Sequence, residues 1–129
     1  MNFLDKEDVL EMHAEAIATF GGLDGLRDEG ALESALIAAV NRWHYEEADL
    51  AACAAAYAYH ISKAHAFIDG NKRVAALATR VFLLINDADL NATEDEKYSL
   101  FIGIADGTVS RDEAEAFIRE WVISSKALD

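Results

Sequence analysis

The chain contains no proline, whereas 25 of its 129 residues are alanine. Proline interrupts α-helices more strongly than any other residue and alanine favours them most, so this composition favours helix almost throughout. Apolar types make up 53% of the sequence and charged types 27%, which lies outside the range of disordered chains and predicts a packed core. We therefore predict an all-α fold, and the length predicts a single domain over residues 1–129.

Apolar spacing and capping residues predict a compact bundle of about six helices. The first is capped by Asp5 and broken by Gly21-Gly22, the second runs from Ala31 to about Trp43, the third from about Asp49 to Ala64, and the central one from about Asn71 to Asn86. Residues 87–91 are expected to form a turn. The pairs Thr93/Glu96 and Ser110/Glu113 have the spacing of capping boxes and are predicted to open two final helices.

Each helix is expected to bury one apolar face. The expected inward residues are Leu10, His13, Ile17 and Phe20 in the first helix, Leu32, Leu36, Ala39 and Val40 in the second, Val74, Leu77, Val81 and Leu84 in the central one, and Phe117, Ile118, Trp121 and Val122 in the last. Because His13 lies on an apolar stripe, it is interpreted as a core histidine with a hydrogen-bond partner.

The formal net charge of −13 disfavours two classes of partner. Nucleic acid and an anionic membrane face would both be repelled by most of such a surface, so no direct binding to either is expected. The longest apolar run, Ala51 to Tyr59, is far shorter than the ~20 residues of a membrane span. One cysteine, Cys53, and no recognisable signal peptide lead us to expect a cytoplasmic protein, with Cys53 as a core residue.

A cationic segment interrupts this anionic chain. Between His60 and Arg80 four basic side chains accompany a single carboxylate, so the stretch is locally positive. The four histidines of the chain have none of the i,i+4 or Glu-x-x-His spacings of zinc and di-iron sites, which argues against a histidine-rich metal centre. The cationic segment is therefore the best candidate for chemistry.

That segment contains the run His65-Ala66-Phe67-Ile68-Asp69-Gly70-Asn71-Lys72-Arg73 at a predicted loop-to-helix junction. Unpaired N–H groups and the positive end of the dipole make the first turn of a helix an anion site, and Gly70 allows close approach of the backbone. Asn71 can cap the helix or donate to an oxygen. Lys72 and Arg73 are unfavourable against the dipole unless a bound anion reverses the field. The run therefore predicts a phosphate site.

The same run contains groups suited to phosphate chemistry. A single carboxylate such as Asp69 beside a polyphosphate is a common way to hold Mg²⁺. Histidine is the side chain that most often acts as a general base, so His65 could take a proton from an attacking hydroxyl. Phe67 would anchor the loop. The alternative, on residue types alone, is an ordinary solvated loop ahead of a helix.

These nine residues resemble the motif His-x-Phe-x-Asp-(Gly/Ala)-Asn-Lys-Arg of the Fic/Doc family at every constrained position. The likeness extends over nearly the whole chain, since residues 21–28, residues 32–36 and the apolar helix after the motif are similar to Doc-type members. The resemblance implies an all-α Fic fold in which helices bracket the motif loop. It also implies transfer of part of ATP to a protein hydroxyl.

Two departures from the family pattern bear on which part of ATP is transferred. Ala66 replaces the usual proline, and Lys72 replaces the glycine that leaves room for the nucleotide phosphates in AMP transferases. In the Doc branch, which has this lysine, the resemblance implies a reversed nucleotide and transfer of the γ-phosphate. Ala76 stands where many Fic proteins have a second arginine, and Arg80, two turns beyond Arg73, is interpreted as structural or as a rim contact.

The resemblance implies a role for each motif residue. Catalysis is assigned to His65, Lys72 and Arg73, nucleotide binding to Phe67, Gly70, Asn71, Lys72 and Arg73, and Mg²⁺ binding to Asp69. Within these sets His65 is the general base, and the two cations stabilise charge on the transferring phosphate. ATP and Mg²⁺ are therefore the expected cofactors.

The resemblance also implies partners. Doc-type toxins are neutralised by a Phd-like antitoxin, and this chain lacks the inhibitory Ser/Thr-x-x-x-Glu-Gly/Asn segment of self-restraining Fic proteins. The implied substrate is a hydroxyl on a translation factor, and the Doc branch suggests elongation factor Tu. Two alternatives stay open, namely AMP transfer to a protein hydroxyl and a non-enzymatic interaction protein that keeps the fold. The acidic surface fits either a basic partner or a salty cytoplasm.

Overall fold

The computed structural model describes residues 1–125, which form six α-helices and one two-stranded antiparallel sheet. The elements are α1 (Lys6–Phe20), α2 (Glu29–Tyr45), α3 (Leu50–Ala64), α4 (Asn71–Ile85), β1 (Ala88–Leu90), α5 (Glu94–Asp106), α6 (Arg111–Trp121) and β2 (Val122–Ser124). The predicted all-α fold, with the motif loop ahead of the central helix, is confirmed. Within residues 1–125 no helix combines the length and apolarity needed to cross a membrane.

Helix α3 lies at the centre of the bundle and contacts α2, α4, α5 and α6. Every residue from Ala51 to Ala58 is buried, and six of these eight are alanine. Such small side chains let neighbouring helices approach from several sides, and a helix that is apolar all round is stable only when it is enclosed. Burial raises the pKa of the Cys53 thiol to about 11, so Cys53 stays protonated in the core as expected.

Side-chain caps begin five of the six helices. In α1, α2, α3, α5 and α6 the capping residue accepts a hydrogen bond from a first-turn N–H, and these residues are Asp5, Asp28, Asp49, Thr93 and Ser110. Helix α4 is the exception, since it begins after Gly70, at φ +77°, with no side-chain cap. The first-turn N–H groups of α4 are therefore left for an acceptor from outside the helix.

The buried faces of α1 and α4 differ from the predicted ones. In α1 Val9, His13 and Ala16 are buried, whereas Phe20 is 62% exposed. In α4 the buried residues are Val74, Ala75, Ala78, Thr79, Phe82 and Leu83, while Leu77 and Val81 are half-buried and Leu84 is exposed. The predicted face of α4 was drawn from the spacing of large apolar residues and left out alanine. Contact with the alanine-rich α3 favours small residues on the buried face of α4 as well.

The predicted turn over residues 87–91 is wrong, because the chain turns at 86–87 and then enters strand β1. Strand β1 pairs with β2 in antiparallel register, with Ala88 opposite Ser124 and Leu90 opposite Val122. Val122 therefore lies in a strand rather than on the buried face of the last helix. On that helix Ile118 is buried, and Phe117 and Trp121 are half-buried. Strands of three residues are too short to show a period in the sequence.

The hydroxyl of Tyr57 fastens the N-terminal segment to α3, since it accepts a hydrogen bond of 3.0 Å from the buried backbone N–H of Leu4. An unpaired buried N–H costs about 1–3 kcal/mol, so Tyr57→Phe is expected to lower the free energy of unfolding by that amount. Urea denaturation followed by circular dichroism measures it. Tyr59→Phe is the control, because the Tyr59 hydroxyl bonds to none of the described residues. Equal stability of both variants would contradict the prediction.

Candidate active site

The motif loop, residues 65–70, connects α3 to α4 and has a left-handed residue at each end. His65 ends α3 at φ +47°, and Gly70 precedes α4 at φ +77°. The carbonyl oxygen of His65 accepts a hydrogen bond of 2.6 Å from the guanidinium of Arg27, which supports this unusual backbone. Two tight reversals therefore set His65 and the first turn of α4 at the two ends of one short loop.

A cleft of about 940 Å³ opens beside the motif loop. Of the predicted site residues it is lined by His65, Asp69, Gly70, Asn71, Lys72 and Arg73. Other parts of its wall come from the end of α1, from the outer face of α4 and from α5. Its volume is within the usual range for small-molecule sites. The fold thus brings every predicted site residue except Phe67 to one cavity.

The end of the cleft at α4 is electropositive. The backbone N–H groups of Asn71, Lys72 and Arg73 have no acceptor among the described residues, because the first bond to the helix start is made by Val74 to Gly70. The first turn contains two exposed cations and no acidic residue. Unpaired N–H groups, the helix dipole and two cations all favour an anion at this place.

The side chain of Asn71 points back into the motif loop. Its Oδ1 accepts from the N–H of Phe67 at 3.1 Å, and its Nδ2 donates to the carbonyl oxygen of Phe67 at 3.0 Å. The amide therefore closes the loop on itself, and it is Gly70 rather than Asn71 that occupies the N-cap of α4. What Asn71 offers to the cleft is its backbone N–H.

Phe67 anchors the loop from beneath. It is 2% exposed, and its ring stacks on that of His13 with the centroids 3.9 Å apart. On the other side the backbone of Leu26 bridges to Phe67, and Ile68 donates to the carbonyl oxygen of Gly25. Phe67 therefore supports the cleft without lining it.

Asp69 has an exposed carboxylate whose two oxygens are each held by a backbone N–H. Oδ2 accepts from Leu23 at 3.2 Å, and Oδ1 accepts from Gly70 at 2.9 Å. An ionised carboxylate has about four acceptor positions, so Asp69 keeps capacity for a cation on its open side. Within residues 1–125 no three His, Cys, Asp or Glu side chains converge on one point. A cation at Asp69 would thus need oxygens from phosphate or water, and the site fits a Mg²⁺–phosphate complex.

The ring of His65 is exposed toward the cleft and hydrogen-bonds to none of the described residues. It can therefore accept a proton from a group in the cleft. Arg80 also lines the cleft, with its guanidinium 3.7 Å from Asp89, which agrees with the interpretation of a rim contact.

Two contacts at the end of α1 were not predicted from the sequence. The Arg73 guanidinium lies 4.0 Å from the centroid of the exposed Phe20 ring, a cation–π contact that orders this arginine at the cleft mouth. A Cβ on Gly22 would stand only 2.8 Å from Oδ2 of Asp69. The Gly21-Gly22 pair, which signals a helix end, also allows this close approach.

Residues 3–83, more than half of the chain, match the model of the Fic/DOC family. The chain is 32% identical over 111 residues to the Protein kinase doc of Escherichia phage P1, an alignment that covers 85% of this chain and 87% of that protein. It is 40% identical over 95 residues to the Toxin Doc of Mycolicibacterium smegmatis, covering 72% and 71% respectively. The chain therefore belongs to the Fic/Doc family. Both relatives are Doc proteins, which confirms the resemblance to the Doc-type branch.

Gly22→Ala is expected to displace the Asp69 carboxylate, because the added methyl group would stand 2.8 Å from Oδ2, which is closer than the two atoms can approach. The amide resonance of Gly70, which donates to that carboxylate, should then move in the ¹H–¹⁵N spectrum. Gly21→Ala is the control, since Gly21 also has a positive φ of +85° but has nothing within 4 Å of its Cβ position. If both variants move the Gly70 resonance equally, backbone strain rather than contact with Asp69 is responsible.

Proposed function

We propose that the protein is a Doc-type toxin that transfers the γ-phosphate of ATP to a hydroxyl of a target protein. The observation that carries this proposal is the uncapped start of α4, with Lys72 and Arg73 in its first turn, facing the same cleft as His65 and Asp69. The names of the two relatives, Protein kinase doc and Toxin Doc, support both the kinase chemistry and the toxin role.

The first turn of α4 would bind the transferring phosphate. Its free N–H groups and its two cations already line the cleft, and such preorganised donors need little rearrangement when charge develops on the equatorial oxygens. Cations at that place stabilise the transition state more than the ground state. This assigns Lys72 and Arg73 to charge stabilisation and Gly70 to the close approach of the backbone.

His65 would act as the general base. As the target hydroxyl oxygen forms its bond to the γ-phosphorus, the bond from that phosphorus to its bridging oxygen breaks, and ADP leaves with the electron pair. His65 takes the proton of the hydroxyl. The exposed ring at the cleft mouth is accessible to a hydroxyl presented by another protein.

Asp69 would hold Mg²⁺ on the open side of its carboxylate. Bound Mg²⁺ supplies neutralisation of phosphate charge and fixes the phosphate oxygens. Asp69 itself is kept at the cleft wall by the N–H groups of Leu23 and Gly70, so its position is determined before any ligand arrives.

The proposed target is a translation factor, elongation factor Tu, and the proposed partner is a Phd-like antitoxin that restrains the toxin. The toxin name of one relative supports an antitoxin, and a net charge of −13 favours a basic one. The proposed place of action is the cytoplasm, where such a target is found. Convergence of the motif residues on one cleft argues against a purely non-enzymatic interaction protein.

His65→Ala is expected to lower the rate of phosphate transfer about 10²–10⁴-fold, the usual effect of losing a general base. The fold should be unaffected, because the ring is exposed and makes no contact that the core needs. Transfer from γ-labelled ATP to purified elongation factor Tu, together with growth arrest on expression, measures the effect. His44→Ala, at another exposed histidine that does not line the cleft, should retain full activity. Toxicity of His65→Ala at equal expression would contradict the role of His65.

Lys72 is expected to decide which part of ATP is transferred, since it adds a cation for the γ-phosphate and fills space that an α-phosphate would need. With ATP labelled separately at the two positions, wild-type protein in a bacterial lysate should label a target from the γ-position alone. Label from the α-position would favour AMP transfer instead.

Three variants separate the charge of Lys72 from its volume. Lys72→Arg should retain γ-transfer, Lys72→Met should lose it because the charge is gone, and Lys72→Gly should lose it while reopening space for α-transfer. Unchanged γ-transfer in Lys72→Met would show that the charge has no role, even if the protein is a kinase.

A further inference from the structure

His13, on α1, lies directly beneath the motif loop. It is 2% exposed, and its ring is nearly parallel to that of Phe67, with 11° between the planes. Its Nε2 is 2.7 Å from the carbonyl oxygen of Asp69. One buried side chain of α1 therefore contacts two residues of the motif loop, although it is 56 positions from Asp69 in the chain.

The direction of this hydrogen bond follows from its acceptor. A carbonyl oxygen can only accept, so Nε2 of His13 carries the proton and donates. In the neutral ring Nδ1 is then an acceptor, and the nearest carboxylate, that of Asp24, is 3.8 Å away and 76% exposed. A protonated ring would keep the same bond to Asp69 and gain attraction to Asp24. The bond to the motif loop is therefore made in both protonation states.

The bonded carbonyl belongs to the peptide unit that joins Asp69 to Gly70. Because a peptide unit is planar, fixing the direction of its C=O also fixes the direction of its N–H. That N–H, on Gly70, donates to Oδ1 of Asp69 at 2.9 Å. The His13 ring is thus linked to the Asp69 carboxylate by two hydrogen bonds and the rigid peptide unit between them.

The surroundings of Gly70 support the same relationship. A Cβ on Gly70 would stand 3.5 Å from Nε2 of His13, an ordinary van der Waals distance, so the ring lies directly beside this residue. With a φ of +77°, Gly70 turns the chain from the motif loop into α4 in a conformation that other residues rarely adopt.

We propose that His13 is a positioning residue for Asp69. It fixes the Asp69–Gly70 peptide, and through the Gly70 N–H it holds the carboxylate toward the cleft. The consequence for Mg²⁺ binding rests on the proposed function, whereas the orientation of the carboxylate does not. Loss of such supporting hydrogen bonds typically lowers metal affinity 10–100-fold.

Two substitutions separate the hydrogen bond from the ring. His13→Phe keeps a ring on Phe67 but loses the donor, whereas His13→Gln keeps an N–H donor of similar reach but loses the ring. In the protein without ligand, His13→Phe should move the Gly70 amide resonance in the ¹H–¹⁵N spectrum, and His13→Gln should restore it. Asp24→Asn, which alters only the exposed group near Nδ1, should leave it in place. An unmoved Gly70 resonance in His13→Phe would overturn the proposal.

Calorimetry with AMPPNP, with and without Mg²⁺, tests the consequence for the site. In His13→Phe the affinity measured with Mg²⁺ should fall about tenfold while the affinity without Mg²⁺ stays the same, and His13→Gln should recover most of the loss. Equal losses in both variants, together with a matching fall in Tm, would mean that His13 only fills space and would also overturn the proposal. If wild-type protein shows no Mg²⁺ dependence, the proposed function fails, and the resonance of Gly70 still tests His13.

Discussion

The enclosure of α3 is the constraint on which the rest of the structure depends. Eight consecutive buried residues, mostly alanine, leave this stretch of the helix no face for solvent, so the neighbouring helices must surround it. The first exposed residue after this stretch is His65, at the C-terminal end of α3. Its left-handed backbone brings the chain out of the core and into the motif loop. The position of the cleft is in this sense a consequence of how the core is filled.

Some residues of the motif support the loop, and others face the cleft, where they are available for chemistry. Phe67 and the amide of Asn71 face inward and determine the shape of the loop, whereas His65 and Asp69 face the cleft. Helix α4 also differs from the other helices of residues 1–125, since each of those has a first-turn N–H bonded to a capping side chain and α4 has none. This uncapped, cationic helix start attracts phosphate locally, although the net charge of −13 makes most of the surface repel polyanions.

Features that depend on local chemistry were predictable from the sequence. The helix starts at Asp5, Thr93 and Ser110 were predicted from their capping residues, because a cap acts within four residues of the chain. The motif residues were predicted for the same reason, since nine consecutive residues at a loop-to-helix junction must lie near one another. Burial of His13 also followed from its helical spacing.

Only the tertiary structure decided what these elements contact. Small residues of α4 face the core and Leu77 lines the cleft, which spacing of large apolar residues could not show. The pairing of β1 with β2 joins segments more than thirty residues apart, and strands of three residues carry no detectable period. The sequence by itself determined that His13 is buried and that Asp69 belongs to the motif. The hydrogen bond from the His13 ring to the carbonyl oxygen of Asp69 was decided by the packing of α1 beneath the loop. A hydrogen bond across 56 positions depends on how the helices pack and leaves no local pattern in the sequence.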